Sequence, residues 1–239
     1  MMLTTQNGVS FYQFKNLAAC SGIEHRIFTR NSGFSQPPFA SLNVGFGIGD
    51  TQKNVSKNRG IISRFMGAGR LVFVRQIHGC EIAVLSRDSE QRGIPPAGRA
   101  VTADAMVTDI FERNLVIQVA DCQAVLLYEP ARRVIANIHC GWRGNVQNII
   151  GRTVGVMEQH FGCRPGRIQA GIGPSLGPCC AEFINYRKEI AQAKKDLENP
   201  SWWKKHNPFT IAYHWVDEKF FPMAQTQYVR VLGWALQHK

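Results

Sequence analysis

Cys122 and His139 are the residues whose types and spacing first suggest chemistry. They lie at the outer ends of two apolar runs joined by YEPAR (128–132). Pro130 suits position i+1 of a type I turn, so the two runs are predicted to pair as a β-hairpin. A hairpin symmetric about Pro130 and Ala131 places Cys122 opposite His139. Directly opposed Cβ atoms lie about 4.5–5.5 Å apart, close enough to share one metal ion, whereas a slip of one residue would separate the two side chains.

His78 is the candidate for a third ligand. It ends the predicted strand segment VRQIH, and Gly79 allows the chain to turn closely after it. A His-Cys-His set with an open fourth position is typical of catalytic zinc. Two other interpretations stay open: these side chains pack in the interior, or Cys122 is a nucleophile with His139 as its base.

An anion site is predicted beside this cluster. GWRG (141–144) leads into a predicted helix with Asn145 as its N-cap. Free backbone N–H groups and the forked guanidinium of Arg143 favour phosphate or carboxylate. A turn with a solvated arginine is the alternative. The loop GIGPSLGPCC (171–180) also precedes a predicted helix, but alone it is weak support.

These residues lie on a mixed pattern of strands and helices, which predicts an α+β (mixed α/β) fold. Residues 30–50, rich in Gly, Ser and Pro, are predicted to be mostly loop or irregular strand, and residues 86–102, polar and interrupted by Pro and Gly, are predicted to be a surface loop. No linker is evident, so one domain over residues 1–239 is predicted. Strands are predicted over 71–79, 114–121, 124–130, 133–140 and 167–173, and helices over 54–66, over 145–161 ending at Gly162, and from Glu182.

Composition narrows the class of protein. The 239 residues are 44% hydrophobic and 19% charged, as in ordinary globular proteins, and contain no apolar run long enough for a transmembrane helix. Seven cysteines, an odd number, and no secretory signal predict a reducing compartment, the cytoplasm. The net charge of +11 is scattered, so we expect small anionic substrates rather than nucleic acid as partners. Neither a membrane partner nor a specific oligomer is indicated; a monomer or small homo-oligomer is expected.

Several catalytic motifs are absent. Pro178-Cys179-Cys180 lacks the spacing of the zinc nucleobase deaminases, which excludes that family. The motifs G-x-S-x-G and H-E-x-x-H and the Walker loop do not occur either.

Five segments occur in the order found in one known family: RQIHG (75–79), ADAMVTD (103–109), ADCQAVLLYEP (120–130), HCGWRG (139–144) and GIGPSLGPCC (171–180). The sequence resembles the laccase-domain or polyphenol oxidase proteins, now regarded as purine nucleoside phosphorylases. The upstream FTRNSGFSQPPFASLNVGFGIGD (28–50) and VSKNR (55–59) resemble the N-terminal signature of that family. The resemblance covers residues 25–186.

The resemblance implies an α/β/β/α layered sandwich and a zinc ion held by His78, Cys122 and His139. It implies phosphorolysis of adenosine, inosine, guanosine and methylthioadenosine, together with deamination of adenosine. Phosphorolysis requires a positioned phosphate and stabilised charge on the departing purine. The catalytic candidates are Arg143, Arg59 and Asn43, and the substrate-binding candidates are Arg30, Asp104, Gly141 and Gly144, with Asp121 as a further carboxylate that orients substrate or ligands.

The sequence departs from the family pattern in two places. Gly47 stands where many members carry histidine, and from Ala191 onward the family's C-terminal pattern is not recognisable. We therefore expect residues 191–239 to be atypical and to pack differently. Two alternatives follow: a metal-binding member without turnover, or a copper-dependent polyphenol oxidase. The second is disfavoured because none of the seven histidines forms a His-x-His pair.

Overall fold

A computed structural model describes residues 1–67, 69–86 and 101–176, with Lys188 and Ala191 as two further helical positions. The helices are α1 (Lys15–Ala18), α2 (Gln52–Met66), α3 (Trp142–Val146) and α4 (Ile149–Phe161), followed by a 3-10 turn at Pro165–Arg167. The strands are β1 (Met2–Gln6), β2 (Val9–Gln13), β3 (Ile27–Phe28), β4 (Arg70–Phe73), β5 (Ile82–Leu85), β6 (Ala105–Thr108), β7 (Arg113–Val116), β8 (Gln123–Glu129), β9 (Val134–Cys140) and β10 (Gln169–Ile172).

The strands form three sheets in the described part of the chain. The largest has five strands in the order β10-β8-β9-β6-β5, and only its β5–β6 pair is parallel. A three-stranded antiparallel sheet has the order β1-β2-β3. The third sheet is the parallel pair β4–β7. The mixture of sheets and helices confirms the α+β class.

The five-stranded sheet buries one face against α4. Val107, Val125 and Ile138 come from three neighbouring strands and form one apolar cluster with Ile149 and Met157 of the helix. Since alternate residues of a strand point to opposite faces, this face takes the odd positions of β6 and β8 and the even positions of β9. Burying side chains of this size stabilises the fold by about 1.5–3 kcal/mol each.

The opposite face of the same sheet packs against the smaller sheets. Met106 of β6 clusters with Leu115 of β7 and with Val74 just after β4. On the far side, Ile61 of α2 packs against Val9 of β2. The order is therefore helix, sheet, sheets, helix, which is the α/β/β/α sandwich.

The register of the β8–β9 hairpin differs from the predicted one. Glu129 pairs with Val134, which leaves a four-residue turn, and His139 lies opposite Ala124 rather than Cys122. Within this turn the Glu129 carboxylate accepts a hydrogen bond from the backbone N–H of Arg132 at 2.6 Å, and Arg133 adopts a left-handed conformation (φ 55°). The shift is two residues, an even number, so Cys122 stays on the predicted face of the hairpin.

The single helix predicted over 145–161 is two helices. Asn148 separates α3 from α4: it adopts a left-handed conformation (φ 57°), and its side chain accepts a hydrogen bond from the N–H of Gly151. Asparagine tolerates this conformation and is a good N-cap, so Asn148, not Asn145, caps the long helix. Gly162 ends α4 in the left-handed conformation, as predicted.

Other boundaries agree in part. The helix predicted over 54–66 is α2, with Thr51 as its N-cap. The strand predicted over 71–79 ends at Phe73, and that over 114–121 ends at Val116, so both continue as loops. The segment 30–50 contains no strand, so it is loop rather than irregular strand. Residues 87–100, residues 177–180 and the helix start predicted at Glu182 lie outside the described residues. No described helix is long and apolar enough to span a membrane.

Candidate metal centre

His78, Cys122 and His139 meet at one end of the sheets. The ligand atoms of the three side chains lie within 4.8 Å of one another. Because β4 and β7 are parallel, their carboxyl ends share one edge, and the loops that leave it carry His78 and Cys122. His139 lies near the end of β9, beside the start of β8 and therefore beside Cys122. The fold thus brings together the three residues that the sequence singled out.

The arrangement fits a metal ion. Ligand atoms of a tetrahedral zinc site lie about 3.3–3.8 Å apart, given metal–ligand distances of about 2.0–2.3 Å. Side chains whose ligand atoms lie within 4.8 Å reach that spacing through small rotations. Two imidazoles and one thiolate suit zinc and also copper. The cluster could therefore hold a metal ion.

Asp104 connects the side chain of His139 to the backbone of His78. Its buried carboxylate accepts hydrogen bonds from the backbone N–H groups of Ile77 (3.2 Å), His78 (2.9 Å) and Gly79 (2.8 Å). It also lies 2.8 Å from Nδ1 of His139. His78 has a φ of 60°, a left-handed conformation that costs a non-glycine residue about 1–2 kcal/mol. Three N–H groups that converge on one carboxylate offset this cost and form an anion-binding nest.

The Asp104 carboxylate also determines which ring nitrogen of His139 carries the proton. Burial acts to raise the pKa of Asp104, but the hydrogen bonds from His139 and the backbone hold that pKa below its usual value. Burial lowers the pKa of His139, although the bond to Asp104 opposes this. An ionised Asp104 only accepts hydrogen bonds, so the proton of neutral His139 is on Nδ1. Nε2 is then free for a metal, as in carboxylate–histidine–metal triads.

The surroundings of Cys122 do not activate its thiol as a nucleophile. Burial raises the pKa of Cys122, and the nearby carboxylates of Asp121 and Asp104 raise it further. Reactive cysteines have lowered pKa values. The environment therefore favours the ligand interpretation over the nucleophile interpretation, because a bound cation would stabilise the thiolate.

Neither Gly141 nor Gly144 has room for a side chain. A Cβ on Gly141 would lie 3.3 Å from Cys122 Sγ, 3.4 Å from His78 Cδ2 and 3.6 Å from His139 Cε1. A Cβ on Gly144 would lie 2.8 Å from the carbonyl oxygen of Gly79. A side chain at 141 would thus touch all three ligands, and one at 144 would displace the loop that carries His78.

Cys140, next to His139, faces the other side of the sheet. It belongs to the apolar cluster beneath α4, and burial raises its pKa to about 12. It is not part of the metal cluster, as the alternation of strand side chains predicts.

Arg59 is held rigidly on α2. Its guanidinium lies between the rings of Phe46 (4.2 Å) and Phe73 (3.7 Å), and Nε donates a 2.9 Å hydrogen bond to the carbonyl of Val44. Burial lowers the pKa of Arg59, but an arginine remains protonated at neutral pH. The stacked rings fix the plane of the guanidinium.

Asn43 and Arg30 lie in the loop before α2, where each is hydrogen-bonded to neighbours outside the metal cluster. The side chain of Asn43 donates a hydrogen bond to Asp50 (2.8 Å) and accepts one from the N–H of Gly45 (3.0 Å). Arg30 is exposed and donates twice to the carbonyl of Ala40, at 3.1 and 2.7 Å. The loop contacts the segment that leads to Cys122 at Gly45, where a Cβ would lie 3.3 Å from Gln118 Oε1.

Arg143 is exposed on α3, with its guanidinium 5.2 Å from the ring of Trp142. The helix has five residues and no side-chain cap. An anion at this place would therefore depend on Arg143 and local N–H groups rather than on the dipole of a long helix.

Five exposed apolar residues lie on the loops that carry His78 and Cys122 or on loops that contact them. Ile77 precedes His78, and Val119 lies on the loop that leads to Cys122. The loop of Leu176 is joined to the same region by a 2.9 Å hydrogen bond from the N–H of Leu176 to the carbonyl of Asp121. Phe46 and Ile48, also exposed, lie on the loop that contacts Gln118. We call these five residues the apolar rim.

Two residues near the cluster were missed by the sequence analysis. Gln76 and Gln118 exchange two hydrogen bonds between the loops that carry His78 and Cys122. Gln76 lies within the quoted motif RQIHG, but nothing in its spacing indicates a partner 42 positions away.

Two cavities lie elsewhere. One, of about 510 Å³, is lined by Arg26, Ser32 and Arg64 among others; the second, of about 490 Å³, lies near Asp109, Asn114 and Tyr128. None of the three cluster residues lines either cavity, so the two cavities are separate from the metal centre.

A family model described as multi-copper polyphenol oxidoreductase laccase matches residues 24–215. The match extends into the segment after Ala191 that the motifs mark as atypical. The purine nucleoside phosphorylase YfiH of Escherichia coli (strain K12) is 34% identical over 185 residues, which cover 76% of this chain and 68% of that protein. The purine nucleoside phosphorylase YlmD of Geobacillus stearothermophilus is 29% identical, also over 76% of this chain and 68% of the relative.

Solved structures agree with the fold. The crystal structure of YlmD from Geobacillus stearothermophilus matches with a TM-score of 0.62 at 29% identity, covering 73% of this chain and 65% of that one. The hypothetical protein YfiH of Bacillus licheniformis matches with a TM-score of 0.61 at 26% identity, over 83% of this chain and 69% of that one. The chain thus spans about two thirds of the relatives it matches.

Proposed function

Because the chain belongs to the multi-copper polyphenol oxidoreductase laccase family, whose relatives above are named purine nucleoside phosphorylases, we propose that it is a zinc-dependent purine nucleoside phosphorylase. The observation that carries the proposal is the convergence of His78, Cys122 and His139, with Asp104 orienting one imidazole. Adenosine, inosine, guanosine and methylthioadenosine are the proposed nucleosides, and deamination of adenosine is a second proposed reaction.

Zinc is proposed because three ligands with an open fourth position match its catalytic sites. When bound, zinc supplies Lewis acidity at that open position. The chain's own residues prepare the site: Asp104 orients His139 through Nδ1 and holds the backbone of His78, and Gly141 leaves room above the ligands.

Arg59 is the proposed main contact for phosphate. The rings of Phe46 and Phe73 and the carbonyl of Val44 fix the guanidinium. Its two terminal nitrogens donate no hydrogen bond to any residue that the structure describes, and a guanidinium with two parallel donors suits phosphate oxygens. Asn43, Arg30 and Arg143 are proposed as further contacts to phosphate or ribose, with Gly144 and its neighbours as the rim around the anion.

The apolar rim is the proposed contact surface for the purine. A purine has apolar faces that gain from leaving water, so Phe46, Ile48 and Ile77 suit the base better than the sugar phosphate. Phosphate would then bind at Arg59 and the purine at the apolar rim, with the metal cluster between the loops that form the rim.

The test incubates the full-length protein with adenosine or inosine and phosphate, with and without a chelator, and measures ribose 1-phosphate and free base. We expect both products only when metal is present. Cys122→Ser reduces the rate by at least about a hundredfold, because losing a ligand costs more than losing a residue that orients one. Cys20→Ser, a half-exposed thiol away from the cluster, retains the rate.

The same incubation separates the competing functions. Inosine formed from adenosine without phosphate supports deamination. Oxygen consumption with a phenol that requires copper would replace the proposal by the oxidase alternative. Metal binding without any product would leave a metal-binding member without turnover.

A further inference from the structure

The side-chain amide of Gln76 makes hydrogen bonds to both the backbone N–H and the backbone carbonyl of Gln118. Its Nε2 donates to the Gln118 carbonyl at 2.8 Å, and its Oε1 accepts from the Gln118 N–H at 2.8 Å. Both residues are half-buried. A side-chain amide that binds a main-chain N–H and C=O together takes the place of a neighbouring strand.

We call this Gln76–Gln118 pair the bracket. It lies beyond the end of the main-chain pairing between β4 and β7. The ladder between β4 and β7 stops at the pair Phe73–Val116. In the described residues, no further backbone–backbone hydrogen bond joins the two loops that follow. Gln76 lies two residues before His78, and Gln118 lies four residues before Cys122, so the bracket connects the loops just before their ligands.

A different contact links each pair among the three ligands His78, Cys122 and His139. The β8–β9 register joins Cys122 to His139, since Gln123 pairs with Cys140. Asp104 joins His139 to His78. Neither of these joins the loop of His78 to the loop of Cys122, and the Gln76–Gln118 bracket does.

We propose that Gln76 is a positioning residue that holds His78 and Cys122 at the separation a metal ion requires. Two loops ordered before the metal arrives lose less conformational entropy on binding, so the bracket raises metal affinity. The role requires an amide: a carboxylate accepts from the Gln118 N–H but has no hydrogen for the Gln118 carbonyl. The inference depends on metal binding at the cluster, but not on the phosphorylase reaction.

The test measures zinc affinity by competition with a chromogenic chelator on the full-length protein and its variants. Gln76→Ala and Gln76→Glu are expected to bind zinc at least about tenfold more weakly, as do other losses of residues that orient ligands. Gln13→Ala is the matched control, because Gln13 also donates its side-chain amide to a backbone carbonyl, that of His25 at 3.3 Å, away from the cluster.

Cobalt substitution separates positioning from general destabilisation. The thiolate-to-cobalt charge-transfer band reports Cys122 directly, and we expect it to shift or weaken in both Gln76 variants but not in Gln13→Ala. Unchanged zinc affinity and an unchanged band in Gln76→Glu would overturn the inference, as would a parent protein that binds neither metal. Normal metal binding without nucleoside turnover would refute the proposed function and leave this inference standing.

Discussion

At the scale of single residues, Asp104 does the most to define the candidate site. One buried carboxylate accepts from three successive N–H groups and from His139, which holds one histidine in a left-handed conformation and the other in one tautomer. An amide in its place keeps the shape but puts N–H hydrogens against N–H groups, leaving buried donors unpaired.

Asp104→Asn is therefore expected to weaken zinc affinity by about 10–100-fold. Chelator competition measures the loss. Asp50→Asn is the control, since Asp50 also accepts several hydrogen bonds, from Ser35, Asn43 and Thr51, but outside the cluster. Equal zinc affinity in the two variants would contradict the role given to Asp104.

His25 is expected to make the free energy of unfolding depend on pH. It is buried, stacks on Phe14 with the rings 5.8 Å apart, and accepts a 2.8 Å hydrogen bond from the Phe14 N–H at Nε2. Burial lowers the pKa of His25 below 6.5, with the nearby Arg26 acting in the same direction and Glu24 against it. The unfolded state then binds the proton first, so this contribution to stability is complete above pH 6.5 and decreases as the pH falls below that value.

The measurement is the free energy of unfolding in urea at several pH values from neutral to acidic. We expect it to fall less steeply in His25→Gln than in the parent, because the glutamine oxygen accepts from Phe14 without titrating. Parallel curves for the two proteins would show that His25 carries no part of the pH dependence.

At the scale of elements, the close approach of α3 to the loop after β4 determines how a glycine substitution in α3 affects stability. Gly144 of α3 lies so close to Gly79 that a Cβ would sit 2.8 Å from a backbone oxygen, whereas a Cβ on Gly155 of α4 would meet only the end of Gln159 at 3.8 Å. The same substitution should therefore have opposite signs in the two helices.

Gly144→Ala is expected to lower the free energy of unfolding by about 1–3 kcal/mol through overpacking. Gly155→Ala should raise it by about 0.5–1 kcal/mol through helix propensity. Urea unfolding of the two variants beside the parent measures both. A Gly144→Ala protein as stable as the parent would mean that α3 moves away from Gly79 at little cost.

At the scale of the whole molecule, the cluster joins both sheet layers. His139 belongs to the five-stranded sheet, while His78 and Cys122 follow the strands of the β4–β7 pair. A metal bound there would add a cross-link between two layers that already meet through apolar contacts such as Met106 with Leu115 and through a 2.7 Å hydrogen bond from the Asn137 side chain to the Leu115 carbonyl. Binding to the folded state alone stabilises that state.

Zinc at a hundred times its dissociation constant is thus expected to raise the free energy of unfolding by about 2.7 kcal/mol. Thermal unfolding with and without zinc measures the change. Cys122→Ser should abolish it, and Cys20→Ser should preserve it. A parent protein whose stability ignores zinc would argue against a metal centre between the layers.

The sequence by itself determined the local features. The side-chain pattern located α2, β8 and β9, and Gly162 marked the end of α4. The types and order of His78, Cys122 and His139 indicated one cluster. These features depend on residues close in the sequence or on the two-residue repeat of strands, which an even register shift leaves intact.

Two departures from the prediction are also local, but they do not follow strand or helix periodicity: the four-residue turn in which the Arg132 N–H donates to Glu129, and the left-handed Asn148 that divides the predicted 145–161 helix. The tertiary structure decided what depends on distant groups. Asp104 contacts His139 across 35 positions, and Gln76 contacts Gln118 across 42. Neither residue carries a periodic signal, because a hydrogen bond between remote loops is specified only when the packed layers bring those loops together.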